Sequence, residues 1–336
     1  MRQLKNIKRM LLLGARCGAL GLALVAGTAF AADVAKPPAD LFLKGDAKCT
    51  GCHDEADDSI PTMLDLHPSV LSIGKTRHGM TGDSRTPTCT SCHGNSDKHV
   101  NHKGSNKPPA TDVIFGKKSK TPAKVQSETC LTCHAGGSNI HWDNGVHAAN
   151  DVTCSSCHSV HRAKDKVRDK TQQVEVCYTC HKTQRAESFK ASHHPMNEGK
   201  VVCSSCHSPH GSTGPKQLIK NTVNETCYTC HTEKRGPFLF EHPVASDNCL
   251  NCHNSHGSNN IAMLKTRQPY LCQQCHDFTR HPGNPYSGTG LPASAGGNAA
   301  NNVGNSGAQQ LLLRSCANCH TQVHGSNHPS GVVQTR

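Results

Sequence analysis

Residues 225–258 read ETCYTCHTEKRGPFLFEHPVASDNCLNCHNSHGS, and this one stretch sets out the plan of the chain. Two Cys-x-x-Cys-His motifs, Cys227/Cys230/His231 and Cys249/Cys252/His253, enclose a lone histidine, His242, and are followed by another, His256. In this motif the two thiols form thioether bonds to haem vinyl groups, and the adjacent histidine reaches the iron. Eight more copies surround the stretch. Upstream are Cys49/Cys52/His53, Cys89/Cys92/His93, Cys130/Cys133/His134, Cys154/Cys157/His158, Cys177/Cys180/His181 and Cys203/Cys206/His207. Downstream are Cys272/Cys275/His276 and Cys316/Cys319/His320. Together the motifs use 20 of the 21 cysteines, and the last, Cys17, sits in the N-terminal leader. A zinc site has no need of a histidine after every cysteine pair. A disulfide framework would not fix the same loop ten times. The reading is ten covalently bound haem c groups.

The motifs alternate between two types. One reads ETCLTCH, EVCYTCH, ETCYTCH and YLCQQCH; the other, following each in turn, reads VTCSSCHSVH, VVCSSCHSPHGS, DNCLNCHNSHGS and RSCANCHTQVHGS. The first two motifs, AKCTGCH and PTCTSCHGNSDKH, form a more divergent pair of the same order. This predicts five di-haem repeats, at roughly 49–102, 130–161, 177–210, 227–256 and 272–328. Repetition at such a period implies stacked modules in nearest-neighbour contact, hence an elongated rod.

The repeat also sorts the 25 histidines. One recurs between the two motifs of each repeat: His78, His147, His194, His242 and His281. A second recurs after the second motif: His99, His161, His210, His256 and His324. These ten are the candidate distal iron ligands, opposite the ten motif histidines. His67, His102, His141, His193 and His328 are left over, with His328 competing with His324 and His102 with His99. Met80 and Met196 lie near ligand positions and offer an alternative axial sulfur. With two imidazoles on every iron there is no open coordination position, which turnover at a metal requires. The composition of ligands therefore favours electron transfer over enzymatic chemistry.

Residues 1–31 read as a secretory signal peptide, and residues 32–336 as the decahaem domain. Arg2, Lys5, Lys8 and Arg9 precede a largely apolar run from Met10 to Val25, and Ala29-Phe30-Ala31 offers a cleavage site. No other segment reaches the roughly 20 apolar residues of a spanning helix. The expected location is the periplasm. Leu, Ile, Val and Phe make up only 56 of the 336 residues, too few for an ordinary hydrophobic core, so porphyrin must supply it. The formal charge is +12, of which the leader holds five basic residues. Two propionates on each haem bring the holoprotein to about −3 when ferric, so the basic composition is no argument for nucleic acid. The expected fold is a multihaem cytochrome c: mostly coil with short helices, and little or no strand. Gly283 to Gln310 reads as a surface loop, and Lys117, Lys118, Lys120 and Lys124 as a solvated basic run.

At this point the chain resembles a known family, the decahaem MtrA/MtoA/DmsE-type cytochromes of outer-membrane porin–cytochrome conduits. The stretches that carry the resemblance are residues 225–244 (ETCYTCHTEKRGPFLFEHPV), 263–276 (MLKTRQPYLCQQCH) and 314–331 (RSCANCHTQVHGSNHPSG). The segment between His53 and His78 fits less well. The resemblance implies a periplasmic protein inserted into an outer-membrane β-barrel porin. Its expected partners are periplasmic cytochromes or a quinol dehydrogenase on one side. On the other they are an extracellular multihaem cytochrome or a mineral or metal donor or acceptor. The alternative is a soluble periplasmic shuttle with the same haem chemistry. A third reading is a multihaem reductase of nitrogen or sulfur oxyanions. The sequence does not set the direction of electron flow.

Overall fold

The computed structural model describes residues 39–53, 70–80, 82, 84–276 and 315–335. The chain divides into two units, residues 1–38 and 39–336, and all described residues belong to the second. The leader, His67, His281 and the loop Gly283 to Gln310 lie outside the described residues.

The two motif types fold differently. The first motif of every repeat begins within an α-helix: Ala47–Thr50, Ala123–His134, Gln173–Tyr178, Val223–Cys227 and Tyr270–Gln273. The second motif in repeats two to five is a single 3-10 turn, at Cys154–Ser156, Cys203–Ser205, Cys249–Asn251 and Cys316–Asn318. In repeat one it is the helix Cys89–His93. The residue before the turn explains the early start. The side chains of Thr88, Asn248 and Ser315 accept backbone N–H bonds from the first turn, satisfying groups that a short helix leaves unpaired. Outside the motifs' own helices, the histidine N–H returns to the first cysteine's carbonyl, as in His181 to Cys177 at 3.0 Å and His253 to Cys249 at 3.1 Å. One helical turn thus puts both thiols and the imidazole on one side.

Little else is regular. Phe240–Glu241 pairs antiparallel with Gly325–Ser326, Phe240 facing Ser326, in the sheet present among the described residues. That pairing ties repeat four to repeat five. Ser192 and Ser258 form an isolated bridge that does the same for repeats three and four. The apolar interior is small. Among the described residues the buried hydrophobic side chains are Leu43, Trp142, Val174, Tyr178, Met196, Val202 and Leu264. Val174, Tyr178 and Met196 pack together, with Val201 and Cys203 against them. Met196 therefore serves as core packing, and Met80 is exposed. Near the first motif a buried carboxylate, Asp46, stands in for a core: it accepts N–H bonds from Leu41, Phe42 and Leu43 at 2.7–2.8 Å. No helix among the described residues is long and apolar enough to cross a membrane.

Candidate haem-binding sites

The ten motifs line one continuous cavity of about 6350 Å³. Divided among ten motifs that is about 635 Å³ apiece, within the roughly 300–1,000 Å³ of a single cofactor pocket. The motifs follow one another along it in chain order with alternating contacts. Within a repeat the first cysteines face each other: Cys49 with Cys89, Cys130 with Cys154, Cys177 with Cys203, Cys227 with Cys249, and Cys272 with Cys316. Between repeats the second cysteines do so: Cys92 with Cys133, Cys157 with Cys180, Cys206 with Cys230, and Cys252 with Cys275. The electrostatics register this crowding. Burial pushes the Cys89 and Cys272 thiols up to about 11, whereas a hydrogen bond with Cys130 holds Cys154 down at about 6. In a thioether the proton is gone, so these shifts speak of proximity.

The histidines pair across the same cavity. His53 faces His99 with ring centroids 6.1 Å apart, His134 faces His78 at 6.0 Å, and His93 faces His161 at 6.4 Å. His158 faces His210 at 6.0 Å, His181 faces His147 at 6.1 Å, and His207 faces His256 at 6.1 Å. His231 faces His194 at 6.2 Å, His276 faces His242 at 6.0 Å, and His253 faces His324 at 6.2 Å. A first-row metal–imidazole bond of about 2.0–2.1 Å on each side places two ring centroids about 6 Å apart. Each pair therefore fits one ion between two imidazoles. Among the described residues no three or more His, Cys, Asp or Glu side chains gather to hold an ion by themselves. Two imidazoles beside a Cys-x-x-Cys pair are the donor set that would hold a haem iron, the thiols attaching the porphyrin.

The pairing laces the repeats together. The histidine inside a repeat reaches forward: His78, His147, His194 and His242 each face the first motif of the next repeat. The histidine after the second motif reaches back: His161, His210, His256 and His324 each face the second motif of the previous repeat. At the start of the chain His99 has no earlier repeat and faces His53 of its own. His320, the motif histidine outside these nine pairs, holds its Nδ1 2.7 Å from the Val333 carbonyl, and the proposed ligand His281 lies outside the described residues.

Hydrogen bonds fix the tautomers. Nδ1 of His99, His147, His194 and His242 lies 2.7–3.0 Å from the carbonyls of Pro109, Pro209, Ser255 and Val323. Donation from Nδ1 leaves the Nε2 lone pair free to bind a metal. The spare histidines are differently occupied. His102 places Nε2 itself 3.1 Å from Asn106 Oδ1, and His328 Nδ1 accepts from Ser330 N–H. His193 Nδ1 donates to Lys190, and His141, His193 and His328 do not line the cavity.

Sequence reasoning used the triplet His-Gly-Ser only as a repeat marker and missed what it does. Gly211, Gly257 and Gly325 have φ of +100°, +139° and +135°. A Cβ at Gly211 or Gly257 would collide with the backbone carbonyl of His141 or Glu187. Glycine is therefore needed to bring the backward-reaching histidine against the preceding repeat. The recurrence of the triplet beginning at His210, His256 and His324 was the available signal.

The comparisons agree with this geometry. The doubled CXXCH motif family matches residues 193–236 and 242–281, and the NrfB-like cytochrome c-type family matches residues 89–172. The multihaem cytochrome MtrA of Shewanella baltica (strain OS185) is 44% identical over 298 residues, covering 87% of this chain and 82% of its own. The chain belongs to the MtrA family of multihaem cytochromes. The cytochrome c-type protein NrfB of Haemophilus influenzae is 31% identical over 41% of this chain and 65% of its own. The Escherichia coli protein of the same name is 28% identical over 42% and 67%. As a family member the chain carries haem c covalently on its CXXCH motifs and transfers electrons through it. The mostly coiled architecture with short helices is that of a multihaem cytochrome.

Proposed function

We propose that this protein is an exported electron conductor that carries ten haem c groups, each with two histidine ligands. The axial histidines would be the ten motif histidines and the ten that recur at fixed places in the repeats, His281 among them by its place in the sequence. The observation that carries the reading is the lacing of nine histidine pairs at 6.0–6.4 Å, eight of them between repeats. Bound haem supplies a one-electron Fe(III)/Fe(II) couple. The protein's part is to hold both imidazoles in place, keep small molecules off the iron, and set neighbouring sites side by side in chain order. Two imidazoles facing each other at each described pair support conduction over turnover at haem.

The leader directs the chain to the periplasm. The similarity to MtrA supports insertion into an outer-membrane β-barrel porin, where it would link periplasmic cytochromes or a quinol dehydrogenase to an extracellular cytochrome, mineral or metal ion. The physics favours such a sheath, because the hydrocarbon layer tolerates irregular backbone only where protein or water shields it. A closed barrel with a polar lumen provides that shield. The test is to solubilise outer membranes of the native host in mild detergent and follow haem-stained protein. Elution as a stoichiometric complex with a β-barrel supports the conduit. Recovery of all the protein in the soluble periplasmic fraction overturns it in favour of a shuttle.

A further inference from the structure

The motif histidines of the second motifs share a common restraint, and one of them breaks it. After each second motif the chain loops back under the imidazole. Nδ1 of His93 lies 3.0 Å from the Val113 carbonyl, and that of His207 lies 3.0 Å from the Lys216 carbonyl. Nδ1 of His253 lies 2.8 Å from the Ala262 carbonyl, and that of His320 lies 2.7 Å from the Val333 carbonyl. All four acceptors are neutral. In repeat two the loop presents a side chain instead: Nδ1 of His158 lies 2.6 Å from Asp165 Oδ2. The carboxylate is itself held in place, its other oxygen accepting weakly from Ser159 N–H at 3.4 Å. Among the described residues three other histidines approach a carboxylate, His256 toward Glu187 at 3.5 Å, His231 toward Glu233 at 3.7 Å and the spare His193 toward Glu198 at 3.8 Å, all too long for a strong bond.

An aromatic side chain also stands on the opposite face of this site. His210 stands 6.0 Å from His158, and the buried Trp142 ring lies 6.3 Å from His210. Excluding water raises the strength of a charged hydrogen bond. A carboxylate that accepts Nδ1–H gives the imidazole partial anionic character and raises its basicity toward the metal. That favours the more positive ferric state over the ferrous one, and so lowers the reduction potential.

We propose that Asp165 holds the haem of motif four at the lowest reduction potential in the chain, making it a mid-chain step that electrons must climb. This rests on the bis-histidine conductor reading above. Asp165 acts through His158 and is a positioning and tuning residue.

The experiment is an optical redox titration of the purified holoprotein, with Asp165→Asn, Asp165→Ser and Glu187→Gln beside the unaltered chain. In Asp165→Asn the lowest-potential component, amounting to one haem, should move up into the body of the curve while the others superimpose. Asp165→Ser keeps a neutral acceptor and should shift the same component the same way, which covers the case in which the Asn variant loses a haem. Glu187→Gln should leave that component where it was. A curve for both Asp165 variants that superimposes on the unaltered chain overturns the proposal. The conductor reading fails separately, if the unaltered protein shows high-spin haem or binds cyanide.

Discussion

His194 faces His231 with 6.2 Å between ring centroids, while its own Nδ1 lies 3.0 Å from the carbonyl of Ser255, the residue before His256. One side chain of repeat three is thus held at two points by repeat four. The proposed axial ligand and the joint between modules are the same residue. Replacing His194 with Ala should convert one haem from low-spin to high-spin and open it to carbon monoxide, leaving the others unchanged. Optical and magnetic spectra of the purified variant, with and without carbon monoxide, check this. A fully low-spin variant that binds no carbon monoxide would show that His194 is not a ligand.

The ring planes make a second, independent prediction. His53/His99 and His253/His324 are close to parallel, at 6° and 12°. His134/His78 and His181/His147 are near perpendicular, at 82° and 73°. Perpendicular imidazoles treat the two iron π-orbitals alike and leave them nearly degenerate, which enlarges the g-anisotropy of the ferric ion. Electron paramagnetic resonance of the oxidised protein should show two highly anisotropic haems beside a majority of rhombic ones. His78→Ala should remove one of the two anisotropic signals.

These pairings mark where the sequence stops being sufficient. The recurrence of a histidine in each repeat was legible, because it needs only counting from the motif. Which motif it serves was not. His147 lies between His134 and His158 in sequence but faces His181, because adjacency along the stack decides and the forward reach crosses to the next module. The choice of His324 over His328 at His253 is likewise made by the strand pairing at Gly325–Ser326, which turns the chain before His328. The coil-rich fold was legible from the scarcity of large aliphatic residues. Asp165 was not, since nothing in HRAKDK separates it from a solvated acid until the loop is seen to close on His158.

Gly257 offers a test of the joint that touches no ligand. Its φ of +139° suits glycine, and a Cβ would meet the Glu187 carbonyl. Gly257→Ala should cost about 1–3 kcal/mol for the backbone conformation, with more added by the collision. Thermal unfolding followed in the Soret region should show a lowered Tm, with His256 and its haem disturbed first. Gly82→Ala, where a Cβ meets nothing within 4 Å, should leave the melt unchanged. Equal Tm values for both variants would mean that repeats three and four separate without cost.

The strongest dependence should be on haem itself. Seven buried hydrophobic side chains among the described residues cannot offset the conformational entropy of ordering the chain, at roughly 1–2 kcal/mol per residue. The cavity of about 6350 Å³ that all ten motifs line is where the missing apolar contact would be made. Chain produced without haem attachment should therefore be unfolded: no near-ultraviolet circular dichroism, rapid proteolysis, and no cooperative melt. The effect should scale with the repeat lost. Replacing Cys177 and Cys180 with Ala removes one thioether pair beside the apolar cluster of Val174, Tyr178 and Met196, and should lower Tm less than replacing Cys130 and Cys133. A haem-free chain with native-like tertiary dichroism would show that polypeptide packing alone holds the fold.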